Sequence, residues 1–518
     1  MGTETGQLVF GKGALIFIGL YLLSMIGVGW IGRMRRQGNS MADFYLAGRS
    51  MGLVVLFLTL YATQYSGNTL FGYTGKTYRI GFTWTVSVLF MFSIIVGYQL
   101  FAPRLVALAR REEFITPGDF ITHRFKSRLL TLISTALMIY ALCNYTLAQL
   151  KAMGAAVEGI TNGAVPSAYG IVALAIIMVV YETLGGMRSV AWTDVLQGIV
   201  LLAGFLILVF LIPDLGGGFP AVVEKISQLD PPKVQVPSLE GCNTWISYIL
   251  LLGCGAAIYP QAIQRLYASK SLRALKRSLS IMAFMPLTTT LIALICGLTA
   301  FVVMPGLGRV ESDQVLARIC AVIMSSSELG YWLVVVVFAA ALAALMSTAD
   351  SALLSISSMF TRDIYHAHLR QDSTEEELTM VGKLCSWGFV IVLVIIAIGT
   401  EKTLVRLLEL KFEVLIQIVP CFFLGLYWRR LSAEVVLAGL ITGLVVALGL
   451  TWLGHPKLWG FHAGVVGLGL NVIVCAIGTA WRPDLSSYLS PDVSPDVSPD
   501  VSPDVSNGQP VPPEGSIT

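Results

Sequence analysis

The run Ala341-Leu-Ala-Ala-Leu-Met-Ser-Thr-Ala-Asp-Ser351 sets two adjacent hydroxyls, Ser347 and Thr348, and a carboxylate, Asp350, inside an apolar stretch that begins near Tyr331. Polar atoms at membrane depth have no water to satisfy them, so such a cluster faces a cavity or a bound ion. Hydroxyls, together with carbonyls released where a helix unwinds, are the oxygen ligands a small hard cation takes. The run reads as half of an ion site.

Two further interruptions could supply the rest. Tyr61-Ala-Thr-Gln-Tyr-Ser-Gly-Asn68 places Thr63, Gln64, Ser66 and Asn68 and a glycine in the middle of an apolar run, and Gly72 and Gly75 follow. Such side chains compete for backbone hydrogen bonds and weaken a helix locally. The bland alternative is a polar seam for helix packing; Gln64 and Asn68, four apart, would share one helix face and weigh against it. Gly253-Cys-Gly-Ala-Ala-Ile-Tyr-Pro-Gln261 carries two glycines and a proline in another apolar run, with Gln264 just beyond. An ordinary proline kink is the alternative there. Two interrupted spans five spans apart point to paired repeats with a binding site between them.

The elements that must hold these groups are membrane helices. Of 518 residues, 55% are hydrophobic and 13% charged, with a mean hydropathy of +0.76; soluble proteins carry about 25% charged residues. With a span needing about 20 apolar residues, the candidates are 13–31, 51–77, 81–107, 129–160, 166–184, 190–213, 243–264, 277–304, 328–361, 379–399, 403–428, 433–453 and 460–480, about thirteen helices. The first run, Ala14–Ile31, lacks a basic leader and a small-residue cleavage site and reads as a true span. Arg33, Arg35, Arg36 and Arg49, then Arg110, Arg111, Arg124, Lys126 and Arg128, then Arg265, Lys270, Arg273, Lys276 and Arg277, and finally Arg429 and Arg430 fall in alternate loops. The positive-inside rule puts the N-terminus outside and the C-terminus in the cytoplasm. Ser490 to Ser506 repeats Ser-Pro-Asp-Val, which blocks helix and sheet, so residues 483–518 are expected to be a disordered cytoplasmic tail behind a transmembrane domain of 1–482. The eight cysteines show no metal-clip spacing and read as small buried hydrophobes. His366 and His368, with Asp363, read as a solvated cytoplasmic loop, and Glu409, Lys411 and Glu413 as a solvated or gate-lining strip.

Four stretches carry a family resemblance. Gly185-Gly-Met-Arg-Ser-Val-Ala-Trp-Thr-Asp-Val-Leu-Gln197 resembles the signature of the sodium:solute symporter family between its fourth and fifth core helices. Phe44-Tyr-Leu-Ala-Gly-Arg-Ser50 is similar to the lead-in to that family's first core helix. Ala344-Leu-Met-Ser-Thr348, with Thr361-Arg-Asp-Ile-Tyr365, resembles its eighth, and Phe423-Leu-Gly-Leu-Tyr-Trp-Arg-Arg430 the end of its tenth. The resemblance covers residues 10–482 and implies an all-α fold of one leading helix, ten core helices as two inverted five-helix repeats, as in LeuT-like transporters, and two trailing helices. Carried over by motif, it implies a sodium ion held by the carbonyls of Ala62, Tyr65 and Ala344 and the hydroxyls of Ser347 and Thr348. Asp194 matches the acidic residue near the inner sodium exit. The substrate would lie between the two interrupted helices, touched by Gln64, Ser66, Gly67, Asn68, Tyr259 and Gln261, and the family geometry would put the helix carrying Glu409, Lys411 and Glu413 beside it.

Certain relatives carry a carboxylate where this chain has Gln64; Asp350 could supply that charge along the ion path, or pair with a neighbouring helix. Lys76 either snorkels to the outer surface or attracts an anionic substrate. The proline-transporting branch carries aromatics where this chain has Leu252 and Ala256, which argues against proline, and Ala262-Ile-Gln-Arg-Leu-Tyr-Ala-Ser-Lys270 resembles the branch moving monocarboxylates, vitamins and iodide. The expected function is sodium-coupled import of a small polar solute such as an organic anion, in the plasma membrane. The alternatives are a transport-like sensor, which deletion of residues 486–518 would separate from a transporter, and a proton-coupled or ion-independent carrier of amino acids or sugars. No span holds a nucleophile–base pair, so an enzyme is not expected, nor is a nucleic-acid or obligate protein partner.

Overall fold

A backbone in lipid must satisfy its own hydrogen bonds, and the computed structural model of this chain is nearly all helix. It describes residues 10–36, 38–161, 163–399 and 411–481, without the side chains of residues 68, 213 and 310. The helices that build the bundle around the breaks are α1 (Lys12–Met34), α2 (Leu53–Gln64), α3 (Gly67–Ile80), α4 (Val86–Arg111), α5 (Arg128–Ile160), α6 (Ser167–Gly185), α7 (Met187–Leu215), α8 (Leu239–Ala257), α9 (Pro260–Tyr267), α10 (Thr290–Val303), α11 (Glu328–Met359), α12 (Glu375–Gly399), α13 (Val419–Tyr427), α14 (Ala433–Trp452) and α15 (Ala463–Ala480), with shorter helices between them. The Ser-Pro-Asp-Val repeats lie outside the described residues.

Among the described residues, ten helices are long and apolar enough to cross a membrane, eleven when the bent pair α8–α9 is taken as one. The thirteen expected spans are not all separable by that measure. The second and third run together through a helical turn at Gly81–Thr85, where Gly81 has a φ of +63°, and the eleventh falls partly on residues 400–410, outside the described ones. The chain still reverses at Gly81. Arg49, just before α2, donates to the carbonyls of Ala109 and Phe114 around the end of α4, both at 3.1 Å, whereas Arg79 at the far end of α3 holds Asp313 and Ser312.

The basic loops gather at one end of the bundle. Arg110 donates to the carbonyl of Ser269, and Arg124 to the carbonyls of Gly425, Trp428, Arg429 and Leu431. At the other end the Phe10 N–H reaches the Ile160 carbonyl, and Asn243 donates to the Trp459 carbonyl in the short connection before α15. Residues 10 and 481 therefore lie at opposite ends. One basic residue counted with those loops is elsewhere: Arg265 is fully buried within α9, because the bend between α8 and α9 keeps the chain inside the bundle for two more turns. Asp363 also departs from the expected solvated loop. It is buried and accepts hydrogen bonds from Thr116 Oγ1 at 2.6 Å and Thr135 Oγ1 at 3.0 Å, while His368 is exposed.

Helix α11 forms the middle of the molecule, packed by α5 and α7; from Val337 to Met359 every residue on it is buried. On the periphery, Ile16, Leu20 and Leu23 of α1 and Ile391, Val392 and Ile395 of α12 are each more than half exposed, an apolar surface that only lipid suits. The junction of α6 and α7 is set by Gly186, whose φ of +59° and ψ of −143° suit glycine and little else. A Cβ there would lie 2.3 Å from the carbonyl oxygen of Phe44. Gly186→Ala should therefore destabilise the protein by at least about 1–2 kcal/mol from handedness alone, read as a lower melting temperature in detergent; an unchanged melt would mean this junction is not held as described.

Candidate functional site

The first interruption is a true break. Thr63 turns its hydroxyl back to the Thr59 carbonyl at 2.7 Å, α2 stops at Gln64, and Tyr65 adopts an extended backbone with φ −100° and ψ 94° before α3 starts at Gly67. The last four carbonyls of a helix have no partner further along it; the Tyr65 N–H takes that of Tyr61 at 3.0 Å, and the Ala62 carbonyl is the next in line. The break puts Gln64 at the end of α2 and Asn68 in the first turn of α3, so the two are not four apart on one continuous helix. Gly67 is where α3 crosses α11: a Cβ there would sit 2.4 Å from Leu345 Cδ2.

The second interruption follows from Pro260. Proline offers no N–H to the carbonyl four residues back and its ring crowds that carbonyl, so α8 ends at Ala257 and α9 leaves at 49°. The carbonyl so released, that of Ala256, accepts instead from the Tyr98 hydroxyl and the Tyr259 N–H, both at 3.3 Å.

Helix α11 meets the first break. Thr63 Oγ1 lies 3.4 Å from Ser351 Oγ, and the Tyr145 hydroxyl of α5 is within hydrogen-bonding reach of both Ser66 and Thr348. The break at residues 65–66 and the Ser347–Thr348 pair are thus bridged by one tyrosine. Ser347 donates to Asp194 Oδ1 at 2.5 Å, and Thr348 donates to the Ala344 carbonyl at 2.8 Å. A hydroxyl that donates its hydrogen keeps lone pairs for a cation, so these two hydroxyls, like the carbonyls of Ala62, Tyr65 and Ala344, are oxygens of the type a small hard ion takes.

Beneath that set lies a dry charge cluster. Arg265 Nη2 pairs with Asp194 Oδ2 at 2.9 Å, both side chains being wholly buried, and Arg265 also donates to Thr59 Oγ1 at 2.8 Å, to the Gln261 carbonyl at 3.1 Å and to Ser351. Thr59 donates to Asp194 as well. Asp350 does pair with a neighbouring helix, accepting from the Tyr181 hydroxyl of α6, while its other oxygen lies 3.2 Å from the Ser351 hydroxyl.

The substrate candidates divide. Gln64, Ser66, Tyr259 and Gln261 are buried around the two breaks, and Gln64 Nε2, the Tyr65 hydroxyl and both amide atoms of Gln261 have no hydrogen-bond partner among the described residues. Asn68 lies in the first turn of α3, and its side chain is outside the described set. Lys76 is nine residues past the break, about 13 Å of helical rise. It is half-buried, with Nζ 5.8 Å from the Trp84 ring centre and His462 nearby. Sequence reasoning missed Tyr145, which an apolar run disguises as core, and Arg265. The solvated reading of Lys411 and Glu413, in the helix before α13, does not hold. Lys411 and Glu413 are both buried, since residues two apart on a helix face opposite sides: Glu413 turns to Thr451 of α14 at 2.8 Å, and Lys411 turns to Tyr145 and Tyr259. Glu409 is outside the described residues.

The sodium:solute symporter family model matches residues 44–443. Similar characterised proteins include the osmoregulated proline transporter of Bacillus subtilis, 26% identical over 92% of this chain and 96% of its own. The sodium/glucose cotransporter of Vibrio parahaemolyticus is 27% identical over 84% of each chain, and the sodium/pantothenate symporter of Haemophilus influenzae 25% identical over 90% of this chain and 96% of its own. Among solved structures, a sodium-coupled sialic acid symporter in a substrate-bound outward-open state matches with a TM-score of 0.79 at 20% identity, over 91% of this chain and 98% of that one. A nucleobase-cation-symport-1 family transporter in a closed conformation matches with a TM-score of 0.56 at 16% identity, over 86% of this chain and 95% of that one. The fold is shared with both.

Proposed function

The chain belongs to the sodium:solute symporter family, and from that premise we propose that it imports a small organic anion, such as a monocarboxylate, by alternating access around the breaks α2–α3 and α8–α9. It is a multi-pass membrane transporter, not an enzyme, and sodium is its coupling ion. In this reading sodium is held by the carbonyls of Ala62, Tyr65 and Ala344 and the hydroxyls of Ser347 and Thr348, and leaves past Asp194. Gln64, Ser66, Gly67, Asn68, Tyr259 and Gln261 surround the solute, and Lys76 supplies positive potential on the approach from outside. Asp350 stays tied to Tyr181 and positions α11. Residues 1–482 form the transport unit, with the N-terminus outside and residues 483–518 as a cytoplasmic tail.

The observation that carries the sodium placement is the Tyr145 hydroxyl within reach of both Ser66 and Thr348, which brings the broken helix and the paired hydroxyls to one point. The anion reading is supported by two lysines on the solute's route and by the absence of the aromatics at positions 252 and 256. Three relatives named for proline, glucose and pantothenate do not favour any one solute.

One positive charge moving down 100 mV releases about 2.3 kcal/mol, enough for roughly a 40-fold gradient of a neutral solute. A monoanion entering with a single sodium moves no net charge and draws only on the sodium gradient. Purified protein in vesicles should accumulate labelled pyruvate or lactate under an inward sodium gradient and not under choline. Equal uptake in choline would overturn the coupling, and sodium-driven uptake of neutral solutes alone would overturn the anion.

A further inference from the structure

Lys411 is 2% exposed, and its ammonium nitrogen sits 3.1 Å from the ring centre of Tyr145, 4.7 Å from that of Phe412 and 5.1 Å from that of Tyr259. The rings are themselves stacked, Tyr145 on Tyr259 at 5.7 Å and Tyr259 on Phe412 at 5.6 Å. Among the described residues no carboxylate lies within 4 Å of Lys411. Ring faces attract a cation, but they do not replace the water an ammonium gives up on burial, and a dry charge is held by an opposite one or not at all. The cage also has directional partners waiting. Gln261, two residues from Tyr259, is wholly buried, and among the described residues its amide oxygen and nitrogen, the Tyr65 hydroxyl and Gln64 Nε2 have no hydrogen-bond partner.

We infer that Lys411 is the seat of the substrate's negative charge: its ammonium, walled by Tyr145, Tyr259 and Phe412, binds the carboxylate of a small monocarboxylate whose hydroxyl or keto oxygen is read by Gln261. This rests on the proposed function and narrows its substrate class. A single ammonium matches one negative charge, and an amide offers a donor and an acceptor, so either a hydroxyl or a carbonyl beside the carboxylate is satisfied there. A solute without the carboxylate leaves the ammonium unpaired, and an unpaired buried group is the strongest discriminator a site has. Tyr145 also joins the two sites. Its ring lies against Lys411 while its hydroxyl reaches Thr348, so ion and carboxylate each bias the orientation of the same side chain and must strengthen one another equally.

The test is thermal melting of the purified full-length protein in detergent, in sodium chloride and in choline chloride, titrated with lactate and pyruvate and with their neutral counterparts lactamide and pyruvamide. In sodium, one or both acids should raise the melting temperature and the amides should not. Lys411→Met should weaken the acid's apparent affinity by roughly 10- to 100-fold while sodium alone still stabilises the variant, and Lys411→Arg should recover part of the loss. An amide that stabilises as well as its acid, no response to either acid, or wild-type acid affinity in Lys411→Met would each overturn the inference. If Lys411→Met does not fold, the acid-against-amide comparison on the unmodified protein still decides. Acid binding that is identical in choline would overturn the sodium coupling and leave Lys411 supported.

Discussion

Arg265→Met should be the most destabilising single change in this protein, costing about 3–5 kcal/mol, because it leaves the Asp194 carboxylate buried without its counter-charge. The guanidinium is wholly inaccessible and holds Asp194, Thr59, Ser351 and the Gln261 carbonyl at once. It therefore ties α9 to α2, α7 and α11, the four elements that meet beneath the proposed ion site. The double variant Arg265→Met with Asp194→Asn removes both charges and should recover much of the loss; a melting cycle over the two singles and the double gives the coupling directly. The single variant also carries a signature that a mere packing defect lacks. A carboxylate freed beside Ser347 invites a cation, so the melting temperature of Arg265→Met should depend on sodium more steeply than that of the parent. If Arg265→Met melts like the parent in choline, the ion pair does not hold these helices together.

That pair was invisible in the sequence for a definable reason. The positive-inside rule treats a basic residue just past an apolar run as a loop residue, and Arg265 satisfies that pattern. What removes it from the loop is the bend at residues 258–259, which turns α9 back into the bundle. Pro260 signalled the bend itself, because a missing N–H and a crowded carbonyl are local properties. The break at Tyr65–Ser66 was legible on the same grounds, from clustered Thr, Gln, Ser and Gly that pull on the backbone. Ser347 and Thr348 stood out because hydroxyls in a hydrocarbon run demand partners. Lys411 went the other way: alternating signs at 409, 411 and 413 look solvated along the chain, whereas a helix sends positions 411 and 413 to opposite neighbours, one aromatic and one belonging to the trailing helices. Tyr145 had no signal at all, since an aromatic in an apolar span packs the core far more often than it bridges two sites. Local chemistry was readable, and partners brought in by tertiary bends were not.

Thr348→Ala should raise the sodium concentration for half-maximal uptake by roughly 10- to 100-fold, the size expected when a group that holds or orients an ion is removed. In the proposed site Thr348 gives an oxygen to the ion, and its hydroxyl lies within reach of that of Tyr145, so its loss acts on both. Thr348→Ser keeps the hydroxyl and should keep the sodium affinity, which separates chemistry from packing. Ser347→Ala removes a ligand too, but it also takes a hydrogen bond from Asp194 and should add a loss of stability that Thr348→Ala lacks. Linkage supplies a further check. At sodium concentrations well below saturation, the apparent substrate affinity of Thr348→Ala should fall, and saturating sodium should restore it, because each ligand can shift the other only by the shared coupling free energy. Uptake in vesicles at varied sodium, with the internal solution held at choline, reads the sodium and substrate dependences from one data set, and melting in detergent reads the stability difference. Unchanged sodium dependence in both alanine variants would mean that the ion binds elsewhere, and a substrate affinity that saturating sodium fails to restore would mean that the hydroxyl serves the substrate directly.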